Sequence, residues 1–147
     1  MKKEFPKINI LASDEYSGVT PEDALEKSQN LLQRFGEEVD GVFAVCEPNT
    51  AGMLQALEDQ GLAGKVKFVG FDPSPVFRAA LEKKHMHGIV LQDPVQMGYL
   101  AVKTMVKRLR NPEVTIEKYV NTGENLATPE NMKEPDMAKL LEPEQFE

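Results

Sequence analysis

The sequence predicts an α/β fold in which a parallel sheet carries helices on both faces. Apolar runs of strand length alternate strictly with segments whose apolar residues recur at helical spacing. Helix-length connections of this kind are what parallel strands require. The run at 41–46 is apolar without interruption, which is typical of a strand that is buried on both faces.

Length and charge narrow the class of protein. The 147 residues are enough for one domain, and 41% of them are hydrophobic. Asp and Glu outnumber Lys and Arg by 24 to 17, so the net charge is −7, which argues against a surface for nucleic acid. With one cysteine no intramolecular disulfide forms, and no apolar run is long enough to span a membrane. No apolar stretch follows the charged start at 1–6, so we expect no signal peptide within this sequence.

The first three elements are a strand, a helix and a second strand. The segment 7–12 reads as a short strand. Thr20 predicts the cap of a helix and Pro21 its first helical position, while Gly36 ends it. The apolar run at 41–46 is the second strand.

The alternation continues with a helix, a strand and another helix. Asn49 or Thr50 is expected to cap the second helix, which Gly61 ends. A third strand follows at 65–72, and Ser74–Pro75 predicts the start of the third helix.

The remaining elements are one more strand–helix unit and two weaker strands. The fourth strand is expected at 88–92 and the longest helix at 94–110. Weaker strand candidates lie at 118–120 and 124–127. Residues 129–147 read as an acidic, irregular tail with one short helix near 137–141.

Polar side chains follow each of the predicted strands. These residues are Asp14, Glu15, Tyr16, Cys46, Glu47, Asp72, Gln92 and Asp93. In parallel sheets, ligands bind beyond the carboxyl ends of the strands. A ligand site and ordinary polar loops both remain open as interpretations of this pattern.

The residues alone give no support for catalysis or for a metal. His85 and His87 could point the same way along an extended chain, but no third ligand is close in sequence, and a solvated pair is favoured. Cys46 lies in an apolar strand without an evident histidine partner. The glycine-rich phosphate loops and the nucleophile turn of hydrolases are absent. We therefore predict no catalytic residue, no metal and no cofactor.

Three segments resemble the signatures of one family. Residues 41–53, 67–75 and 90–99 are similar to those of periplasmic sugar-binding proteins of the ribose-binding type, in the same order and at similar intervals. The similarity runs from about Phe5 to about Asn131. The effector-binding half of lac-repressor-type transcription regulators shares this fold and is the alternative.

The resemblance implies a fold and a function. Members of the family have two lobes, each a flavodoxin-like parallel sheet with helices on both faces, and hold a sugar in the cleft between them. We therefore expect non-catalytic binding of a pentose or hexose as part of the solute-binding component of an ABC-type importer. The expected location is the periplasm, the expected partner is the membrane permease, and no nucleic acid is expected.

The resemblance also implies which residues contact the sugar. Asp72 would accept hydrogen bonds from two hydroxyl groups, and charge strengthens such bonds. Gln92 would donate and accept at once. Cys46 stands where the family has Asn, and a thiol is a poor hydrogen-bonding partner. Glu47 matches an acidic residue beside the site.

Only one lobe of the family is similar to this chain. Residues 1–128 resemble a partial C-terminal lobe, in which 94–117 resembles the helix that returns to the first lobe. The resemblance implies that the first βα unit of the lobe, which supplies the central strand in the family's order 2-1-3-4-5, is not part of this sequence. Strand 7–12 could then pair with 42–46, receive an element from another chain in a homodimer, or belong to a fragment.

Overall fold

The structure, a computed structural model that describes residues 4–142, is a mixed α/β fold built on a sheet of four strands. Strands β1 (Gly41–Phe43), β2 (Lys67–Phe71) and β3 (Gly88–Leu91) are parallel, and β4 (Asn125–Ala127) runs antiparallel to β3. The order across the sheet is β1-β2-β3-β4. The predicted α/β class and three of the expected parallel strands are confirmed.

Proline opens each of the helices found in the described part of the chain. They are α1 (Pro21–Phe35), α2 (Glu47–Asp59), α3 (Pro75–Glu82), α4 (Pro94–Arg110) and α5 (Pro135–Leu141). Each has a proline in its first two positions, where the missing N–H costs no intrahelical bond. None of the helices between residues 4 and 142 has both the length and the apolar character needed to cross a bilayer.

The second helix begins earlier than the sequence indicates. Cys46 is its N-cap and Glu47 its first residue, so the expectation that Asn49 or Thr50 caps it was wrong. Pro48 explains the shift, because its fixed φ favours the first helical turn. Gly61, with a φ of +64°, follows the end of the helix as expected.

The hydrophobic core joins buried side chains of the sheet with those of α1, α2 and α3. The parallel register places Val42 beside Phe68 and Ile89 beside Gly70, so these residues share one face of the sheet. The largest fully buried side chains of the core are Phe68, Phe77, Leu57, Leu81, Met86, Ile89 and Leu91. Met132 and Leu141 are also buried, so the part of the expected tail up to residue 142 packs on the core and contains the short helix α5. Residues 143–147 lie outside the described residues.

The opposite face of the sheet is open to solvent at β1. Phe43 is 57% exposed and Val45 61% exposed, so the expectation that 41–46 is buried on both faces was wrong. Helix α4 has no buried side chain, and most of its apolar residues are exposed, Val95 at 81% and Leu109 at 72%. Apolar side chains thus remain exposed at Phe43 and Val45 and along α4.

Two predicted strands do not form in the described part of the chain. The segment 7–12 lies outside the sheet with Ile8 and Ile10 exposed, and 118–120 also has no strand pairing. A strand is stable only when its backbone groups bond to a neighbour, and β1 pairs with β2 alone. Direct pairing of 7–12 with 42–46 is therefore not the outcome. The weak candidate at 124–127 does form, as β4.

Gly70 marks the closest approach of the sheet to α2. A Cβ atom at Gly70 would lie 2.3 Å from Thr50 Cγ2 and 2.7 Å from Met86 Cε. Thr50 is fully buried in α2, so its methyl group has little room to move. The lack of a side chain at position 70 thus lets the helix rest directly on the strand.

We predict that Gly70→Ala lowers the free energy of unfolding by about 1–3 kcal/mol through overpacking. In the Gly70→Ala/Thr50→Ser variant the nearest obstacle is gone, so the loss should be smaller than the sum of the two single losses. Urea denaturation of the wild type, Gly70→Ala, Thr50→Ser and the double variant measures the single losses and their departure from additivity. Gly98→Ala is the matched control, because nothing lies within 4 Å of that site in α4, and it should stabilise. Additive losses at 50 and 70 would contradict the proposed contact.

Candidate functional site

Asp72 lies just beyond the carboxyl end of β2. Its φ of +67° is in the left-handed region, which Asp tolerates better than most residues because of its short polar side chain. Its backbone N–H donates to the carbonyl oxygen of Val90 at 3.0 Å, which continues the pairing with β3 by one residue. The turn therefore holds Asp72 at the sheet edge before Pro73 redirects the chain.

Gln92 follows the neighbouring strand β3 and meets Asp72 directly. Its Nε2 donates to Asp72 Oδ1 at 2.9 Å, and both residues are partly buried. The bond is charge-assisted when the carboxylate is ionised. A carboxylate offers about four acceptor positions, so further donors can reach Asp72 while Gln92 occupies one of them.

Cys46 and Glu47 form the start of α2 at the same edge of the sheet. Cys46 is partly buried, has an extended backbone, and its thiol makes no capping hydrogen bond. Glu47 is exposed in the first helical turn, where its charge is favourable beside the positive end of the helix dipole. Both residues thus follow β1 as Asp72 follows β2 and Gln92 follows β3.

The hydroxyl group of Thr50 connects these positions. It accepts a hydrogen bond from the Phe71 N–H at 2.9 Å and donates to the Cys46 carbonyl oxygen at 2.9 Å. The Phe71 carbonyl oxygen is farther away, at 3.3 Å, and a hydroxyl has one proton to give. Sequence reasoning missed this contact because it assigned Thr50 to a cap. No local signal in the sequence points to this contact, because it arises from the different lengths of β1 and β2.

Two polar residues of the segment before α1 have partners in helices. Ser17 Oγ donates to Asn49 Oδ1 at 2.7 Å, which ties the segment before α1 to the first turn of α2. Glu15 pairs with Lys27 Nζ at 2.5 Å, and this hydrogen bond lowers the pKa of the Glu15 carboxyl. Glu15 is therefore engaged with α1, whereas Tyr16 is exposed.

The histidines lie at the other end of the sheet. His85 Nδ1 is 2.7 Å from Glu58 Oε1, and His87 precedes β3 with its Nε2 3.0 Å from Lys67 Nζ. Burial lowers the pKa of His87, and the charge of Lys67 lowers it further. From residue 4 to residue 142, no group of three His, Cys, Asp or Glu side chains is placed to hold a metal ion.

The family follows from comparison with known proteins. A family model described as a periplasmic binding protein domain matches residues 1–113. The chain therefore belongs to the periplasmic binding protein domain family, as the three similar segments predict. The carboxyl ends of parallel strands, where Asp72 and Gln92 meet, are the usual place for ligands in such sheets.

Related sequences carry names that specify sugars. The D-allose-binding periplasmic protein of Escherichia coli is 31% identical over 91 residues, which are 62% of this chain and 29% of that protein. The D-xylose-binding periplasmic protein of the same organism is 36% identical over 66 residues, which are 45% of this chain and 20% of that protein.

Solved structures share the fold. A carbohydrate transporter solute binding protein from Agrobacterium radiobacter, in complex with D-arabinose, has 31% identity and a TM-score of 0.80 over 95% of this chain and 46% of that chain. An ABC transporter solute binding protein from Agrobacterium vitis with bound D-fucose has 28% identity and a TM-score of 0.76 over 88% of this chain and 44% of that chain. The chain spans less than half the length of the relatives that it matches.

We predict that the backbone at Asp72 makes Asn a better replacement than Ala. Asn tolerates the left-handed region and can still accept the bond from Gln92, whereas Ala pays the steric cost of a positive φ. Asp72→Ala should therefore be less stable than Asp72→Asn by about 1–2 kcal/mol in urea denaturation. Equal stabilities would mean that the turn relaxes when the side chain is removed.

Proposed function

We propose that this chain is the sugar-binding second lobe of the solute-binding component of an ABC-type importer. The observation that carries the proposal is the hydrogen bond between Gln92 and Asp72 at the carboxyl edge of the sheet. The names of the related E. coli proteins, which specify D-allose and D-xylose, support a monosaccharide ligand. Binding is non-covalent, and the ligand leaves unchanged.

Asp72 and Gln92 suit the hydroxyl groups of a sugar. The ionised carboxylate of Asp72 accepts from hydroxyl donors, and such charge-assisted bonds are roughly twice as strong as neutral ones. Gln92 fixes one carboxylate oxygen and keeps its own amide oxygen as an acceptor. Because the two side chains hold each other, a ligand meets a prearranged pair and loses less free energy in ordering it.

Of the proposed contact residues, Cys46 has the least capacity for hydrogen bonds to the ligand. Its thiol is a poor donor and a poor acceptor, whereas the amide of Asn can do both. Recognition by this lobe then depends mainly on Asp72 and Gln92, with Glu47 as a further contact from the first turn of α2. A ligand that presents fewer hydroxyl groups to position 46 fits this arrangement best.

A first lobe is the partner that we propose for the exposed apolar surface. The chain has an accessible surface of 10695 Å², against about 7,500 Å² for a compact monomer of 16.4 kDa. Much of the apolar part lies on α4, where Val95, Tyr99, Val102 and Leu109 are exposed. The first lobe would cover α4 within residues 94–117 and would close over the sugar in the periplasm. Closure would then report occupancy to the membrane permease.

Sugar titrations followed by NMR test the function. We expect D-allose, D-xylose or another pentose or hexose to shift the amide signals of residues beside Asp72 and Gln92 in the ¹⁵N-labelled chain. Affinity should be low, because one lobe leaves the ligand open to water. Asp72→Asn should weaken binding about tenfold or more, since bonds to charged groups contribute about 1.5–3 kcal/mol.

The control for that titration changes the charge at a remote position. Asp59→Asn alters one exposed carboxylate near the end of α2 and should keep wild-type affinity. If no sugar of the panel shifts signals at this edge, the proposed function is wrong. If Asp72→Asn binds like Asp59→Asn, Asp72 is not a contact.

Restoring the amide at position 46 gives a second prediction. Cys46→Asn should bind the preferred sugar about twofold to tenfold more tightly, because one added hydrogen bond contributes about 0.5–1.5 kcal/mol. Cys46→Ala is the matched control, since it removes the thiol without adding an amide, and should bind like the wild type. Titration of both variants against the same panel measures the difference. An unchanged affinity of Cys46→Asn for every sugar would remove position 46 from the site.

A further inference from the structure

The end of β1 leaves a backbone group of β2 in need of a partner. The last paired residue of β1 is Phe43, which lies opposite Val69, whereas β2 continues to Phe71. The N–H of Phe71 therefore extends beyond the ladder on that side. Its acceptor is the buried hydroxyl of Thr50, at 2.9 Å.

The same hydroxyl also holds the beginning of α2. It donates to the carbonyl oxygen of Cys46 at 2.9 Å, and the Thr50 N–H donates to the same oxygen at 2.9 Å. One side chain thus links the residue before Asp72 to Cys46, although Cys46 and Asp72 belong to different strand–helix units. Gly70 adds the close approach, because its missing side chain brings Thr50 against the strand.

We propose that Thr50 is a positioning residue that sets the separation of Cys46 from Asp72. This inference rests on the proposed function, in which both residues face the same ligand. Thr50 itself is fully buried, so its proposed role is to position other residues and not to contact the ligand. It decides which pair of ligand groups the two positions reach together, because it fixes the start of α2 relative to the end of β2.

Two substitutions at position 50 distinguish the effect of the hydroxyl group from the effect of the side chain's shape. Thr50→Val keeps the branched shape but removes the bond to the Phe71 N–H. Thr50→Ser keeps the hydroxyl and loses the methyl group. Val66→Ala is the matched control for stability alone, because Val66 is buried before the start of β2, at the opposite end of that strand.

The first measurement uses the single cysteine and needs no sugar. A nitroxide attached to Cys46 broadens nearby amide signals, and the broadening of Asp72 reports the distance between the two residues. We expect Thr50→Val to change that broadening at least twofold, and Thr50→Ser and Val66→Ala to leave it as in the wild type. The Phe71 amide should exchange with solvent about fivefold faster in Thr50→Val, since it loses one hydrogen bond. Unchanged broadening in Thr50→Val would overturn the proposal.

The second measurement is the affinity of the unlabelled variants for the sugar that binds the wild type best. Thr50→Val should bind at least about fivefold more weakly, because a displaced site loses about one hydrogen bond, while Thr50→Ser stays within twofold of the wild type. A merely structural role would make Thr50→Val behave like Val66→Ala, with lower stability and unchanged affinity, and that result would refute positioning. If the wild type binds no sugar, the proposed function fails, while the nitroxide measurement still decides whether Thr50 sets the distance.

Discussion

The arrangement at the carboxyl edge of the sheet depends on one constraint. Where a strand extends beyond the end of its neighbour, its backbone N–H groups need another hydrogen-bond acceptor. A buried N–H without an acceptor costs about 1–3 kcal/mol. The hydroxyl of Thr50 supplies the acceptor for Phe71, and the same contact brings the start of α2 against β2. From there the left-handed turn at Asp72 places its carboxylate beside Gln92. The backbone at Cys46 and the backbone just before Asp72 are thus joined through one side chain, that of Thr50.

The need to satisfy backbone hydrogen bonds also explains why the exposed apolar segment 94–110 forms a helix, whereas the exposed segment 7–12 does not form a strand. Helix α4 satisfies its backbone bonds internally, so it forms at 94–110 although it buries no side chain. The segment 7–12 has a strand-like sequence, but a strand has no internal bonds, and no neighbour is available to it in the described part of the chain. Phe43 and the apolar residues of α4 are exposed, so a surface that covered them would remove the most apolar area from water.

The elements that the sequence predicts well are those whose signals are local. A proline after a capping residue identifies the starts of α1 at Pro21 and of α3 at Pro75, and Gly61 marks where α2 has ended. The contact between Gln92 and Asp72 joins residues of separate strands. The polar residues after the strands include both, but the family resemblance was needed to single them out. The role of Thr50 had no local signal, because it arises from the different lengths of β1 and β2.

The charges at the site favour a neutral ligand that is rich in hydroxyl donors. The first charged side chains after β1, β2 and β3 are Glu47, Asp72 and Asp93, and all are acidic. Asp93 is occupied as the cap of α4, where it accepts from the Gln96 N–H, whereas Asp72 keeps acceptor positions for a ligand. An anionic sugar would be repelled at this edge, because the electrostatic free energy of like charges rises as they approach. Under the proposed function, the Cys46 thiol adds little donor capacity, so this lobe would mainly accept hydrogen bonds from the ligand's hydroxyl groups. The proposed first lobe would then supply most of the donors to the ligand's oxygens.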